Sequence, residues 1–225
     1  MAEPPSMITI SAAYPPNPND NLFSVIFNNN RLIQTTVTSD PFVLTAWLST
    51  ISSASIIGLD IEWRPNFSKQ FENPVATLQL CTASDSSTTT CLIFQFFYCS
   101  VPLPRILFDF LDDGRFTFVG VGIRSDADML LECHGLRVRN VVDISDLVAD
   151  KIHGTRTGMG LKQLAQVVLN VNVAKPREVT MSRWDAEWLS FQQIQYACID
   201  AFLSYEIGKT LIPLPSIPRS TTSNK

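Results

Sequence analysis

The chain has 225 residues, 45% hydrophobic and 17% charged, enough to bury about 70% of its extended surface in one sizeable domain. That composition excludes a disordered or collagenous chain and a disulfide-stapled miniprotein. A formal net charge of −4 gives no global attraction to nucleic acid but leaves room for a local basic patch.

Eight of the fourteen prolines lie in residues 1–20 and 212–225, and both ends are otherwise polar. They read as flexible terminal arms around one domain spanning 21–211. The first twenty residues have neither the basic nor the apolar region of a secretory signal, and the apolar stretch 91–99 is broken by Gln95 and too short to span a bilayer. The expectation is a soluble protein of the nucleus or cytosol, neither secreted nor membrane-associated. Five cysteines (Cys81, Cys91, Cys99, Cys133 and Cys198) form no CxxC pair, and only His134 and His153 could supplement them. Free thiols are expected rather than a zinc site.

Residues 22–28 and 31–37 read as strands joined by an Asn29-Asn30 turn. Asp40-Pro41 opens a helix, with a capping acid followed by proline at its first position. The runs 56–63, 74–81 and 91–97 read as strands, the last two separated by a polar turn over 82–90. A helix over 102–111, a buried strand over 116–121 and a helix over 125–133 ending at Gly135 follow. A strand near 138–142, helices near 145–152 and 161–169, and a long helix over 191–211 complete the chain. Ser190 and Gln193 form a capping box that sets the start of that last helix. Strands grouped first and then alternating with helices indicate an α/β fold, a mixed β-sheet flanked by helices on both faces.

The segment Gly58-Leu59-Asp60-Ile61-Glu62-Trp63 places two carboxylates two residues apart on a strand, hence on one face. Apolar neighbours point the other way. Paired acids on a mostly buried strand repel and resist desolvation, which a divalent cation with oxygen ligands relieves. The competing reading is a solvated acidic strand face. Asp126 falls in the first turn of a helix with Ser125 as its expected cap, where the helix dipole by itself favours an anion. Gly120-Val121-Gly122 lacks the third glycine of a dinucleotide loop and is set aside. Tyr196 and Asp200 stand four apart on the last helix, on one face. Singly each is ordinary; together they make four acids and a phenol in three elements.

That set resembles a known family. Leu59-Asp60-Ile61-Glu62-Trp63, then Val119-Gly120-Val121-Gly122-Ile123-Arg124-Ser125-Asp126, then Tyr196-x-x-x-Asp200 look like the three exonuclease motifs of the DEDD superfamily in its tyrosine variant. With Ser182-Arg183-Trp184, the wording is similar to Werner-syndrome-type exonucleases, the short stand-alone plant forms above all. Arg183 and Arg124 depart from the usual pattern, at positions that bear on substrate preference rather than on the acids. The resemblance covers residues 22–211 and implies an RNase-H-like fold and 3′→5′ exonuclease activity on the 3′ ends of DNA. It also implies two magnesium ions per site, with manganese able to substitute. Asp60, Glu62 and Asp200 would ligate the nucleophile-side ion, Asp60 bridging to a second that Asp126 holds largely through water, and Tyr196 would orient the attacking water. A helicase acting in trans is a further implied partner.

Residues 151–183 carry six basic side chains against Glu178 alone, a local rim for phosphates. Lys151, Arg156, Lys175, Arg177 and Arg183 are the candidate contacts, with Trp63 and Met129 expected to pack on the terminal base. Trp184 and Trp188 are expected in the core. The alternatives are an RNase-D-like exoribonuclease and a nucleic-acid-binding scaffold without turnover.

Overall fold

The computed structural model describes residues 8–12, 22–28, 31–51, 56–66, 72–83 and 88–216. Its strands are β1 (Ile8–Ala12), β2 (Leu22–Phe27), β3 (Arg31–Thr38), β4 (Ile56–Trp63), β5 (Val75–Ala83), β6 (Thr89–Gln95), β7 (Thr117–Gly120) and β8 (Val141–Asp143). The helices are α1 (Pro41–Ser49), α2 (Arg105–Leu111), α3 (Ile123–His134), α4 (Ile144–Lys151), α5 (Leu161–Leu169), α6 (Arg177–Thr180) and α7 (Phe191–Leu211). The strands form one mixed sheet in the order β1-β2-β3-β6-β5-β4-β7-β8. β4 pairs antiparallel with β5 and parallel with β7, so the strand bearing Asp60 and Glu62 lies inside the sheet.

Period-two alternation divides the core into two layers. Ile57, Leu59 and Ile61 of β4 join Leu78 and Leu80 of β5 beneath Leu44 and Trp47 of α1, Leu107 and Phe110 of α2, and Leu130 of α3. On the other face Val25, Ile33, Ile93 and Val119 meet Val148 of α4, Leu164 of α5 and Ile194, Ala197 and Phe202 of α7. α7 crosses this second face over the centre of the sheet. Among the described residues, no helix is long and apolar enough to cross a membrane.

The main departures from the sequence expectations lie at the two ends of the chain, at the start of α3 and at Trp188. The amino-terminal arm is partly strand: β1 pairs antiparallel with β2, Ile8 opposite Phe27, because the sheet edge offers unpaired backbone groups that a short β-branched run satisfies. The rest of that arm, the Asn29-Asn30 turn and residues 217–225 lie outside the described residues. The described part of the carboxyl-terminal tail is held by Lys151, whose Nζ donates to the Leu214 carbonyl at 2.6 Å and to Ser216 Oγ at 3.0 Å. α3 begins at Ile123, with Gly122 rather than Ser125 as its cap. Trp188 is not core: it is 74% exposed, whereas Trp184 is buried as expected. Trp188 falls in the irregular run just before the Ser190 cap and so misses the buried stripe of α7.

Candidate active site

Gly58, Asp60 and Glu62 share the face of β4 that looks toward α7. A Cβ at Gly58 would lie 2.0 Å from the Ala201 carbonyl oxygen and 2.8 Å from the Tyr205 nitrogen. Only glycine therefore lets the helix backbone lie directly on the strand, and this close approach carries Asp200, one residue before Ala201, over the acids of β4. The capping box fixes the axial position of α7: Gln193 N–H donates to Ser190 Oγ and Ser190 N–H to Gln193 Oε1. Gln193 Nε2 also donates to Ser182 Oγ and the Arg183 carbonyl, tying the preceding loop to the helix. Tyr196 lies one turn before Asp200, its ring 6.0 Å from buried Trp184.

Asp126 arrives from the end of β7. Gly122 adopts φ +69°, left-handed geometry that glycine takes without strain, and it turns the chain so that Asp126 sits in the first turn of α3. That turn is held from outside. Asp143 Oδ2 accepts the Gly122 N–H at 2.8 Å, while its Oδ1 caps α4 through the Ser145 N–H at 2.9 Å. Asp143 belongs to none of the acidic motifs, and its place after a β-branched run and before a helix is the ordinary capping signature.

The electrostatics join these groups. Burial, then the charges of Asp200 and Asp126, hold the Asp60 carboxyl well above its ordinary range. Glu62 is raised by burial and by Asp60 and Asp200. Asp126 is pushed up to about 7 by burial and by Asp143. Asp200, 4% exposed, is raised by burial against the opposing pull of Lys175. The Tyr196 phenol is raised by burial and by the neighbouring carboxylates of Asp200, Glu62 and Asp60, so it stays protonated.

Lys175 is the one candidate contact of the basic segment that enters the cage. Its Nζ donates to Asp200 Oδ2 and lies 5.2 Å from the Tyr196 ring centroid. Burial works against its charge, but Asp200, Asp60 and Glu62 outweigh it and keep the ammonium protonated. The other candidates scatter. Lys151 is turned to the carboxyl-terminal tail and to Asp150 at 3.6 Å, because a carbonyl and a hydroxyl there meet its ammonium directly. Arg183 is paired with Asp185 at 3.3 Å. Arg156 and Arg177 are exposed and ion-paired with no described residue. Trp63 and Met129 are half-buried against the core beneath α1, α2 and α3. Trp63 follows the irregularity in β4–β5 pairing after Glu62.

Among the described residues, no three Asp, Glu, His or Cys groups are converged tightly enough to ligate one ion as placed. The donor set nonetheless fits a hard divalent cation. It is all carboxylate oxygen, each acid is made less acidic by burial or by its neighbours, and Lys175 already engages an Asp200 oxygen that ligation would use.

Residues 35–214 match the family model for the 3′–5′ exonuclease domain. The chain belongs to that family. This exonuclease domain is 34% identical over 165 residues to an Arabidopsis thaliana 3′–5′ exonuclease, covering 73% of this chain and 55% of that one. It is 28% identical over 161 residues to the mouse bifunctional 3′–5′ exonuclease/ATP-dependent helicase WRN, covering 72% of this chain and 11% of that protein. The chain thus spans about half the length of its plant relative, and far less of the mouse one. A crystal structure of Trypanosoma brucei RNase D in complex with RNA U12 shares the fold, with a TM-score of 0.66 and 17% identity over 82% of this chain and 64% of that one. The mixed α/β sheet flanked by helices is therefore an architecture this chain has in common with that RNase D structure.

Proposed function

We propose that this domain removes nucleotides from the 3′ ends of DNA by hydrolysis at a site holding two magnesium ions, for which manganese can substitute. The observation that supports it is the cluster itself: Asp60 is raised by both Asp200 and Asp126, so carboxylates from β4, α3 and α7 share one buried field. A scaffold without turnover has no need of such a repulsive set. Asp60, Glu62 and Asp200 would hold one ion, and Asp60 with Asp126 the second. Bound there, the ions would supply an activated water and neutralise the leaving 3′ oxygen. Tyr196, protonated and backed by Trp184, orients the water as a hydrogen-bond partner rather than as a base. Lys175 holds positive charge beside Asp200, where the phosphodiester must approach.

The test is degradation of a 3′-labelled duplex with a 5′ overhang in Mg²⁺, Mn²⁺, Ca²⁺ and EDTA. Turnover is expected in the first two and lost in the others, since calcium takes a looser, longer coordination sphere. Comparable turnover in EDTA overturns the metal reading. The cage acts on the phosphodiester that DNA and RNA share, so a labelled RNA run in parallel decides the substrate class. A helicase in trans is the proposed partner, by analogy with the mouse relative whose name joins both activities. Stimulation of turnover on blunt duplex by added helicase checks it. We place the protein in the nucleus or cytosol, and a fluorescent fusion found only in secretory compartments overturns that.

A further inference from the structure

Lys175 reaches the acid cage from a segment that does little to hold it there. Residues 172–175 lie between α5 and α6, and they make no backbone hydrogen bond with any other described residue. Buried Val173 and Val179 pin the chain on either side of the lysine. Its side chain leans inward, 30% exposed. The tip donates to Asp200 Oδ2 and stands 5.2 Å from the Tyr196 ring centroid. Two cavities meet at this ion pair. One of about 370 Å³ is lined by Asp60, Asp200 and Lys175, and one of about 290 Å³ by Asp200, Tyr196, Ala174 and Pro176. Open space thus adjoins the ammonium.

Among the described residues, Lys175 is the one cation bonded to any of the four acids. A single positive charge offsets only part of the repulsion among four carboxylates. It also sits on an Asp200 oxygen that a divalent ion would need, and two cations at one carboxylate oxygen repel strongly at that separation. As long as the lysine holds Asp200, no three of the acids converge on one ion.

We propose that Lys175 is a counter-ion latch: its ammonium fills the Asp200 position of the metal-free cage and is displaced when a divalent ion takes that oxygen. The inference rests on the metal-dependent reading above and adds a resting state to it. Until metal arrives, the lysine holds Asp200 beside Asp60 and Glu62. Metal then binds at the cost of breaking a charge-assisted hydrogen bond, so the cage fills only above a threshold concentration. The flexible four-carbon stem lets the tip swing away while Val173 and Val179 stay packed.

Two measurements made without nucleic acid test this. The first is Mn²⁺ affinity by isothermal titration calorimetry. Lys175→Met should bind Mn²⁺ about 10- to 100-fold more tightly than wild type, the range for a charge-assisted hydrogen bond that no longer has to be broken. Lys175→Arg keeps the competing charge and should bind as weakly as wild type. The second needs no variant: lysine acetylation, read by mass spectrometry. In wild type, Lys175 should be modified several-fold faster in Mn²⁺ than in EDTA, while exposed Lys209 keeps one rate in both. Equal or weaker Mn²⁺ binding by folded Lys175→Met, or a Lys175 rate that metal leaves unchanged, overturns the latch. Turnover of the labelled duplex is read alongside. Turnover in Mn²⁺ with either of those results defeats the latch alone. Tightened binding and an unmasked lysine without turnover defeat the exonuclease reading alone. No Mn²⁺ binding by any of the three proteins defeats both.

Discussion

The acid cage and the basic segment behind it are built in opposite ways. Asp60, Glu62, Asp126 and Asp200 sit on regular elements whose backbones are locked together, by the contact at Gly58, the turn at Gly122 and the capping box of α7. The basic side chains of 151–183 sit on short helices and connecting loops, and each takes whatever partner lies near: Lys151 the carboxyl-terminal tail, Arg183 Asp185, Lys175 the cage itself. Charges that must repel one another need a rigid frame to stay together. Charges that meet a flexible polyanion do not, and their positions carry less free energy.

That contrast is broken first at the phenol. Tyr196→Phe is expected to slow hydrolysis by about 10²-fold, the usual loss for a positioned proton-transfer partner or orienting group. The Mn²⁺-induced rise in melting temperature should stay as in wild type, because the phenol ligates nothing. A wild-type rate would return Tyr196 to core packing.

The frame is tested by Gly58→Ala. The added methyl overlaps the Ala201 carbonyl, so α7 must move away from β4 at a cost of ~1–3 kcal/mol, or roughly 2–12 °C in Tm for a domain of this size. Turnover should fall with it even though no acid is touched. An unchanged Tm would show that the helix does not depend on this contact.

The repulsion within the cage has a pH signature. Asp126 titrates near 7 in the folded chain against an ordinary 3.8, and Asp60, Glu62 and Asp200 are shifted the same way. A folded-state pKa above the unfolded one means the fold binds protons more tightly. Stability is full below the ordinary carboxyl pKa and is lost as pH rises through the folded value. In chelator, Tm should therefore fall as pH rises from about 4 to about 7, and Asp126→Asn should flatten that fall by a few degrees. A pH profile identical to wild type would mean that Asp126 is solvated and outside the cluster.

The smallest effects belong to the rim. Arg156→Ala and Arg177→Ala should each lower the salt slope of single-strand binding by about 0.7, the value for one phosphate contact, and Lys151→Ala should leave it unchanged. A lowered slope in Lys151→Ala would show that its contacts with Leu214 and Ser216 yield to the strand.

Much of the fold was legible from periodicity. The strand over 56–63, the helix over 161–169 and the helix over 191–211 have the boundaries the sequence indicated, because strong alternation, a helical stripe and a capping box are local signals. β1 and α6 were not legible. Ile8–Ala12 is a short run amid proline and asparagine that becomes a strand only where β2 offers an edge, and four-residue α6 has no period to read. Trp188 shows the same limit in reverse, since apolar character alone does not say which side of a helix cap a ring falls on.

By itself the sequence determined which groups could form the cage: the spacing of Asp60 and Glu62 on a strand and of Tyr196 and Asp200 on a helix puts each pair on one face, a consequence of backbone geometry that no partner can change. Only the tertiary structure decided what meets those faces. It brought Lys175 onto Asp200, turned Lys151 away, set Asp143 behind Asp126, and opened a cavity between Ser204 and the start of α5. Those contacts join residues distant in the chain through packing of whole elements, and long-range packing leaves no local pattern in a single sequence.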